Sequence, residues 1–372
     1  MIDPRVEQLA KNLIHYSLKL QKGEKVWISA SATGSPVMEA LVKEALGVGA
    51  YPFPHVVEPK VDAAVMEGMT EELATLMADF DERKMQAMDA YIAIRGSENN
   101  FETVDIGETQ QQIYNRIYSK RVHMDVRIDH TNWVVLRWPT SAMAQQAGMS
   151  TRRFEDFFFD VCNLDYSIMS KAMDPLVDLI NKTDRVRLVG PGETDISFSI
   201  KGIGAVKCDG ERNIPDGEVY TAPVKDSVNG VIQFNTPSFV GGFKYENLKL
   251  VLKDGKIIDC DSNDKARMEK YLDTDEGARY IGEFAFGVNP NITKPMGDTL
   301  FDEKIAGSIH FTPGNCYDTA DNGNHSAIHW DLIMIQTPEY GGGEIYMDDV
   351  LVRKDGLFVL EELKGLNPEN LK

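Results

Sequence analysis

The chain has 372 residues, of which 42% are hydrophobic and 26% are charged, a composition typical of a globular protein and not of a disordered one. This length favours two domains. The formal net charge of −19 makes nucleic acid and anionic membranes poor partners, because so acidic a surface repels phosphate groups.

Helices and strands alternate along the first half of the sequence. Apolar residues recur at steps of three and four from Val6 to Leu20, which predicts a helix, and Gly23 ends it. Further helices are predicted over 35–47, from 70 onwards and over 108–120. The strands predicted between them are KVWISAS, 51–57, YIAIRG and NWVVLRWPT. This alternation predicts a mostly parallel sheet, typical of an α/β domain.

The second half has a different pattern. A helix is predicted over 150–181, and short strands dominate after it: RVRLVG, DISFSI, LKLVLKDGKIIDCD and LVRKDGLFVLEE. Asp254-Gly255 and Asp355-Gly356 each lie between apolar alternations and predict hairpin turns. We therefore expect an N-terminal α/β domain over 1–184 and a β-rich α+β domain over 185–372.

Several other classes of site are disfavoured. ISASATGSP has one glycine where a dinucleotide-binding turn needs three, so no nucleotide cofactor is expected. No segment has the roughly 18 uncharged apolar residues of a membrane span, and the charged N-terminal segment lacks the apolar core of a secretory signal. We therefore expect a cytoplasmic protein. The four cysteines are far apart and are predicted to be reduced thiols, and Cys316 lacks the positioned base that a nucleophile needs.

The segment AIHWDLIMI carries the sharpest functional signal. Side chains on a strand alternate between faces, so His329 and Asp331 share one face while Ile328, Trp330 and Leu332 share the other. Two ligand atoms on one face can converge on one cation. The alternative is a His–Asp ion pair on a solvated face, which the apolar opposite face makes the weaker interpretation.

Three other segments place polar residues within apolar strands. Glu283 in RYIGEFAFG requires a partner, because an unpaired buried carboxylate costs several kcal/mol. His310 in SIHFTP is, taken alone, more typical of a hydrogen-bonded core residue, and Tyr317 follows a Pro-Gly turn that can bring it beside His310. Glu218 after the Pro-Asp-Gly turn is, taken alone, more typical of a solvated hairpin end.

Taken together, two glutamates, two histidines and one aspartate form a nitrogen-and-oxygen ligand set without thiolates. Such a set suits a pair of divalent ions, Zn, Co or Mn, that share carboxylate ligands. Paired ions of this kind serve in the hydrolysis of peptide bonds at amino termini.

The segments NIPDGEVYTAP, LDTDEGARYIGE, FDEKIAGSIH and NHSAIHWDLI resemble motifs of the aminopeptidase T and aminopeptidase S metallopeptidases. YSLKLQKGEKVWI and WPTSAMAQQAGMSTRRFEDFFF resemble the same family, so the resemblance runs over nearly the whole chain. The better-known family form has FDENASCH where this chain has the longer FDEKIAGSIH, and the resemblance assigns no role to Asp302 or Glu303.

The resemblance implies a metal-dependent aminopeptidase, a homodimer with an enclosed cavity, that releases N-terminal residues from peptides with a free amine. Two divalent metal ions would activate the attacking water, in the second domain or in a cleft between the two domains. Glu283 would bridge the ions and Tyr317 would donate to the oxyanion, so these two are the predicted catalytic residues. The implied metal ligands are Glu218, Glu283, His310, Tyr317, His329 and Asp331.

Two alternatives stay open at this point. One is a different metallohydrolase on the same scaffold, a dipeptidase or an amidase. The other is a non-enzymatic binding protein that retains the fold, which the complete set of predicted ligands disfavours. The group that carries the proton to the leaving amine is predicted to be Glu303 or another carboxylate.

Overall fold

The computed structural model describes residues 3–240 and 242–371, which form two compact units. The first unit contains the described residues up to Asn163 together with Gly210–Ile214, and the second contains Leu164–Asp209 and the residues from Pro215 onwards. In this division the helix Tyr166–Ile180 belongs to the second unit. The predicted domain limits at 184 and 185 stay a prediction.

The first unit is built on a five-stranded sheet in which every pairing is parallel. This confirms the α/β prediction. In spatial order its strands are Tyr51–Val57, Lys25–Ser31, Ala90–Arg95, Asn132–Arg137 and Asn213–Ile214. Its helical segments are Pro4–Lys11, Asn12–Ser17, Ala32–Gly34, Ser35–Gly47, Pro59–Glu67, Glu71–Gln86, Glu108–Ile113, Tyr114–Ile128, Ser141–Gln146 and Thr151–Cys162.

Capping side chains set where several helices begin. Thr70 accepts a hydrogen bond from the backbone N–H of Leu73, as expected for the helix predicted to start there. The prediction of a single helix over 150–181 is wrong. The first helix ends at Cys162, and Asp165 caps the start of a second helix by accepting a hydrogen bond from the backbone N–H of Ser167. A short polar cap therefore outweighs a continuous apolar periodicity.

The second unit contains an antiparallel sheet of eight strands. In spatial order these are Lys256–Asp261, Lys249–Lys253, Asn229–Gln233, Asp195–Ser199, Arg185–Val189, Glu344–Met347, Val350–Lys354 and Leu357–Phe358. Both predicted Asp-Gly hairpins are confirmed. In each turn the aspartate and the glycine have positive φ, as a two-residue hairpin requires.

A second antiparallel sheet of five strands carries the predicted site residues. In spatial order its strands are Leu332–Ile335, Ser308–Pro313, Ile281–Gly287, Glu218–Thr221 and Val206–Cys208. The described residues of this unit also include the two-stranded sheet Ser238–Val240 with Phe243–Tyr245, and the helical segments Tyr166–Ile180, Lys265–Leu272, Glu276–Arg279, Thr299–Asp302, Asp318–Ala320, Pro338–Tyr340, Glu361–Leu366 and Pro368–Asn370.

The two faces of this five-stranded sheet differ in chemistry. Phe284 and Phe311 contact Phe198 of the eight-stranded sheet, with ring centroids 5.0 and 5.3 Å apart, so one face forms the apolar core between the sheets. Residues in alternate positions, among them Glu283 and His310, point to the opposite face. The apolar core thus fixes the sheet that presents the polar residues.

No helix in the described part of the chain is long and apolar enough to cross a membrane. Each of the four cysteines is free. Cys316 is buried and lies with its sulfur 3.2 Å from an oxygen of Asp321.

Candidate metal centre

The register of the five-stranded sheet brings three of the predicted ligand segments side by side. Glu283 lies opposite Thr312, His310 lies opposite Ala285, and Glu218 lies opposite Gly287. Ala285 and Gly287 of the central strand are small, so they leave space on this face of the sheet for the longer side chains of His310 and Glu218. Segments distant in the sequence therefore meet on one face because three strands pair in this register.

The segment containing His329 and Asp331 differs from the prediction. The strand begins only at Leu332, and His329 forms an isolated bridge with Gly314. The predicted strand over AIHWDLIMI is therefore wrong in its first half. The two side chains nevertheless lie together, with Nε2 of His329 3.2 Å from Oδ1 of Asp331.

Gly314 explains how the His329 segment approaches the sheet. Its φ is +110°, and a Cβ at this position would meet the carbonyl oxygen of Ile328 at 2.1 Å. Only glycine permits this close approach of two backbone segments. In the same segment, Nδ1 of His329 lies 2.8 Å from the carbonyl oxygen of Asn315. Because a carbonyl oxygen can only accept a hydrogen bond, Nδ1 carries the proton and Nε2 is left for a metal.

Glu283 lies at the middle of the centre. Its Oε1 is 2.7 Å from Nε2 of His310, and its Oε2 is 3.7 Å from Nε2 of His329. Nε2 of His310 is also 3.4 Å from Oε2 of Glu218. On the other side, the hydroxyl of Thr312 donates to Oδ1 of Asp331 over 2.8 Å.

These distances define two groups of potential metal ligands that share one residue. Glu218, Glu283 and His310 form the first group, and Glu283, His329 and Asp331 form the second, with the ligand atoms of each group within 4.8 Å of one another. A carboxylate common to two groups is the arrangement expected of a bridging ligand. The five carboxylate and imidazole residues of the prediction are thus brought together.

Buried polar atoms in these groups support the fit of metal ions. Oε2 of Glu218 and Oε2 of Glu283 are buried without a hydrogen-bond partner. Buried polar atoms are normally satisfied, so unsatisfied carboxylate oxygens facing a histidine indicate a position for a cation. Oxygen and nitrogen donors without thiolate suit Zn, Co or Mn, and the residues therefore fit the divalent ions predicted.

The electrostatics of the metal-free centre favour positive charge. Burial works to lower the pKa of His310, but Glu218 and Glu283 outweigh it and raise this pKa to about 9. Burial likewise opposes protonation of His329, but Asp331 and Glu283 raise its pKa to about 10. Burial raises the pKa of Glu283, although the hydrogen bond from His310 acts against this shift. Protons on the histidines thus compensate carboxylates that metal ions would otherwise neutralise.

Tyr317 lies beside the second group. Its ring centroid is 4.8 Å from that of His329 and 5.7 Å from that of Tyr220. About half of the residue is exposed, at 48%, while the protein around its hydroxyl and the charges of Glu283 and Asp331 raise its pKa. The hydroxyl therefore keeps its proton and can donate. Its role as a metal ligand stays a prediction.

Glu218 is buried, with 6% of its surface exposed, so it is not the solvated hairpin end that its local sequence suggests. A lysine that the sequence interpretation did not include compensates the charge of this buried carboxylate. Lys304 is fully buried and its Nζ lies 2.6 Å from Oε1 of Glu218 and 2.7 Å from Oε1 of Glu303. The signal that could have revealed Lys304 is its position next to Glu303 in the short segment before His310.

The two acidic residues without an assigned role have separate positions. Asp302 accepts from the backbone N–H groups of Met296 and Gly297, over 2.7 and 2.8 Å, so it shapes the loop before the centre. Glu303 contacts Lys304 instead, and burial raises its pKa to about 8. Glu303 thus lies next to Lys304, which contacts the proposed ligand Glu218, whereas Asp302 is bonded to the backbone of the preceding loop.

Residues 2–356 match the protein family described as thermophilic metalloprotease (M29). The chain belongs to this family. Aminopeptidase T of Thermus thermophilus is 26% identical over 92% of this chain and 95% of its own length. Aminopeptidase 2 of Geobacillus stearothermophilus is 24% identical over 95% of each chain. The family and these relatives confirm the predicted class of enzyme, a metal-dependent aminopeptidase.

Solved structures support the fold. Wild-type AmpT from Thermus thermophilus has a TM-score of 0.79 and 22% identity, covering 97% of this metallopeptidase and all of that chain. 2,5-Dihydroxypyridine dioxygenase from Pseudomonas putida KT2440 has a TM-score of 0.62 and 13% identity, covering 96% and 98%. The fold is therefore shared with a protein named for a different reaction, and the activity is assigned from the family and not from the fold.

Proposed function

We propose that this metallopeptidase removes N-terminal residues from peptides with two divalent ions held by Glu218, Glu283, His310, His329 and Asp331. The observation that carries the proposal is the pair of ligand groups that share Glu283. Glu218 and His310 would hold the ion at the first position, and His329 and Asp331 would hold the ion at the second. When bound, such ions lower the pKa of a water and polarise the peptide carbonyl.

The surrounding residues act on orientation and charge. Asn315 fixes the tautomer of His329 through its carbonyl, and Thr312 orients Asp331 through its hydroxyl. These contacts hold the donor atoms in place before any ligand arrives. The burial of Glu283 and His310 excludes water from that side of the centre and strengthens the charge interactions within it.

We assign two further roles. Tyr317 donates its hydroxyl proton in a hydrogen bond to the oxyanion that forms at the attacked carbonyl, since its raised pKa keeps that proton in place. Glu303 carries a proton to the leaving amine, because it lies near the ligands and burial raises its pKa to about 8, although the neighbouring Lys304 acts to lower it. We also propose Tyr317 as a metal ligand at the second position, because its ring lies against that of His329.

Removal and return of metal test the central claim. Prolonged chelation is expected to abolish hydrolysis of aminoacyl 4-nitroanilides, and Zn, Co or Mn is expected to restore it, with two ions per chain at full activity. Full activity in protein shown by elemental analysis to be metal-free would overturn the proposal.

A pair of peptides separates an aminopeptidase from the amidase or dipeptidase alternatives. A tetrapeptide with a free amine is expected to be trimmed stepwise, and its N-acetylated form is expected to resist cleavage. Equal rates on both peptides would favour an amidase, and cleavage restricted to dipeptides would favour a dipeptidase.

From the family resemblance we extend the proposal to the oligomeric state and the cellular location of the protein. The chain acts as a homodimer in the cytoplasm on peptides with free N-termini. Analytical ultracentrifugation and cell fractionation test these two statements independently of the metal centre.

A further inference from the structure

Lys304 is a fully buried cation in the segment between the helix Thr299–Asp302 and the strand Ser308–Pro313. Burial of an ammonium group costs several kcal/mol unless carboxylates compensate it. Three acidic side chains surround the ammonium: Nζ lies 2.6 Å from Oε1 of Glu218, 2.7 Å from Oε1 of Glu303 and 3.5 Å from Oδ1 of Asp216. Lys304 thus interacts directly with one proposed metal ligand.

The two oxygens of Glu218 have different surroundings. Oε1 is paired with Lys304, whereas Oε2 is buried, has no hydrogen-bond partner and lies 3.4 Å from Nε2 of His310. Rotation of the carboxylate would separate Oε1 from the ammonium. The ion pair therefore leaves one oxygen, Oε2, available on the side of Glu283 and His310.

Lys304 also contacts a third group of potential metal ligands. Atoms of Cys208, Asp216 and Glu218 lie within 4.8 Å of one another. A metal ion bound by this group would compete with the first metal position for the carboxylate of Glu218. The ammonium contacts both Asp216 and Glu218 and so supplies the positive charge for this cluster. Burial works to lower the pKa of Lys304, but Glu218, Glu303 and Asp216 outweigh it and raise this pKa.

We propose that Lys304 is a positioning residue, which holds Glu218 so that only Oε2 is presented to the metal position shared with Glu283 and His310. It acts as a fixed internal cation that keeps a metal ion from the Cys208 and Asp216 side of Glu218. This inference rests on the proposed function, because it concerns the first of the two metal positions.

The test titrates chelator-treated protein with Co²⁺, followed by calorimetry and by visible absorption. Glu218→Gln and Asp331→Asn identify which binding event belongs to the first position and which to the second. In Lys304→Met the first position is expected to bind Co²⁺ at least tenfold more weakly than in the wild type. The second position is expected to stay within threefold, because it does not use Glu218.

Rescue separates positioning from a general effect on the fold. Lys304→Arg keeps the charge and is expected to bind Co²⁺ at the first position within threefold of the wild type. Lys304→Gln keeps a polar group without charge and is expected to behave as Lys304→Met does, so it decides the question if the methionine variant does not fold. Melting temperatures in chelator report folding separately from metal binding.

Two results would overturn the inference. Unchanged affinity at both positions in the uncharged variants would show that Lys304 does not hold Glu218 for metal. Equal weakening at both positions would show that it supports the fold alone. If wild-type protein bound no Co²⁺, the proposed function itself would fail, and that result differs from either of these.

Discussion

The Nε2 atom of His310 lies 2.7 Å from Oε1 of Glu283, although the two residues are not directly opposite each other in the sheet. Glu283 pairs with Thr312 and His310 pairs with Ala285, so the contact runs diagonally across two strands. This diagonal leaves Oε2 of Glu283 on the side of His329. One carboxylate can therefore serve both groups of ligands.

Substitution of Glu283 tests the shared carboxylate. Glu283→Gln keeps the size of the side chain but removes the negative charge needed to hold two cations together. Activity is expected to fall by several orders of magnitude and bound metal to fall below two ions per chain, measured by elemental analysis. Glu276→Gln, at an exposed position, is the matched control and should behave as the wild type. If Glu283 is only an ion-pair partner, stability falls by roughly 3–5 kcal/mol with metal retained.

Substitution of Tyr317 tests the oxyanion role. Tyr317→Phe removes the hydroxyl and keeps the ring contact with His329, so kcat is expected to fall by about 10²–10³ while KM changes little. Tyr340→Phe is the control for loss of a tyrosine hydroxyl outside the centre. A Tyr317→Phe enzyme with unchanged kcat and a full complement of metal would remove Tyr317 from the mechanism.

The metal-free protein is expected to lose stability as the pH rises. The pKa values of His310 and His329 are raised from 6.5 to about 9 and about 10 in the folded state, through nearby carboxylates that outweigh burial. A histidine whose pKa is raised in the folded state stabilises that state most fully below pH 6.5, the pKa of the unfolded form. This contribution to the free energy of unfolding is lost as the pH rises through about 9 for His310 and about 10 for His329. The burial that raises the pKa of Glu303 to about 8 acts in the same direction, since its unfolded form ionises near 4.5.

Melting curves of chelator-treated protein from pH 6 to pH 10 measure this loss. Affinity for metal is expected to change in the opposite sense and to rise over the same range, because bound protons must leave the histidines first. His329→Gln should flatten the upper part of the melting profile. A metal-free protein whose melting temperature rises towards pH 10 would show that the histidines are not held protonated.

The close backbone approach at Gly314 is expected to be sensitive to a single methyl group. Gly314→Ala combines a positive φ with a Cβ only 2.1 Å from the carbonyl oxygen of Ile328. The backbone strain alone costs about 1–3 kcal/mol, and relief of the clash moves the His329 segment away from the sheet. We expect lower stability and weaker metal binding at the second position.

Gly323→Ala provides the matched control for Gly314→Ala. Gly323 also has positive φ, at +76°, but no atom lies within 4 Å of an added Cβ. Denaturant unfolding of the two variants therefore separates backbone strain from the clash. Equal losses of stability and equal metal affinities in both would show that the approach at Gly314 does not position His329.

The sequence by itself determined the α/β and β-rich halves and both hairpins, and it predicted the residue types of the proposed centre. Periods of 3.6 and 2 are local properties, so the alternation that places Glu283 away from Phe284 and Phe286 can be read without any knowledge of other strands. The resemblance to a metallopeptidase family supplied the assignment of the residues of the proposed centre as metal ligands. The break after Cys162 was missed because a cap competes locally with periodicity.

Only the tertiary structure decided which charges meet. Glu218 is buried and paired with Lys304 because the loop before His310 folds onto a strand that is distant in the sequence, and no local pattern encodes that contact. The same holds for the approach of His329, which depends on Gly314 and a carbonyl of Asn315 and not on the predicted strand. Burial and ion pairing arise from three-dimensional packing, whereas the alternation of side chains is fixed by the backbone of a single strand.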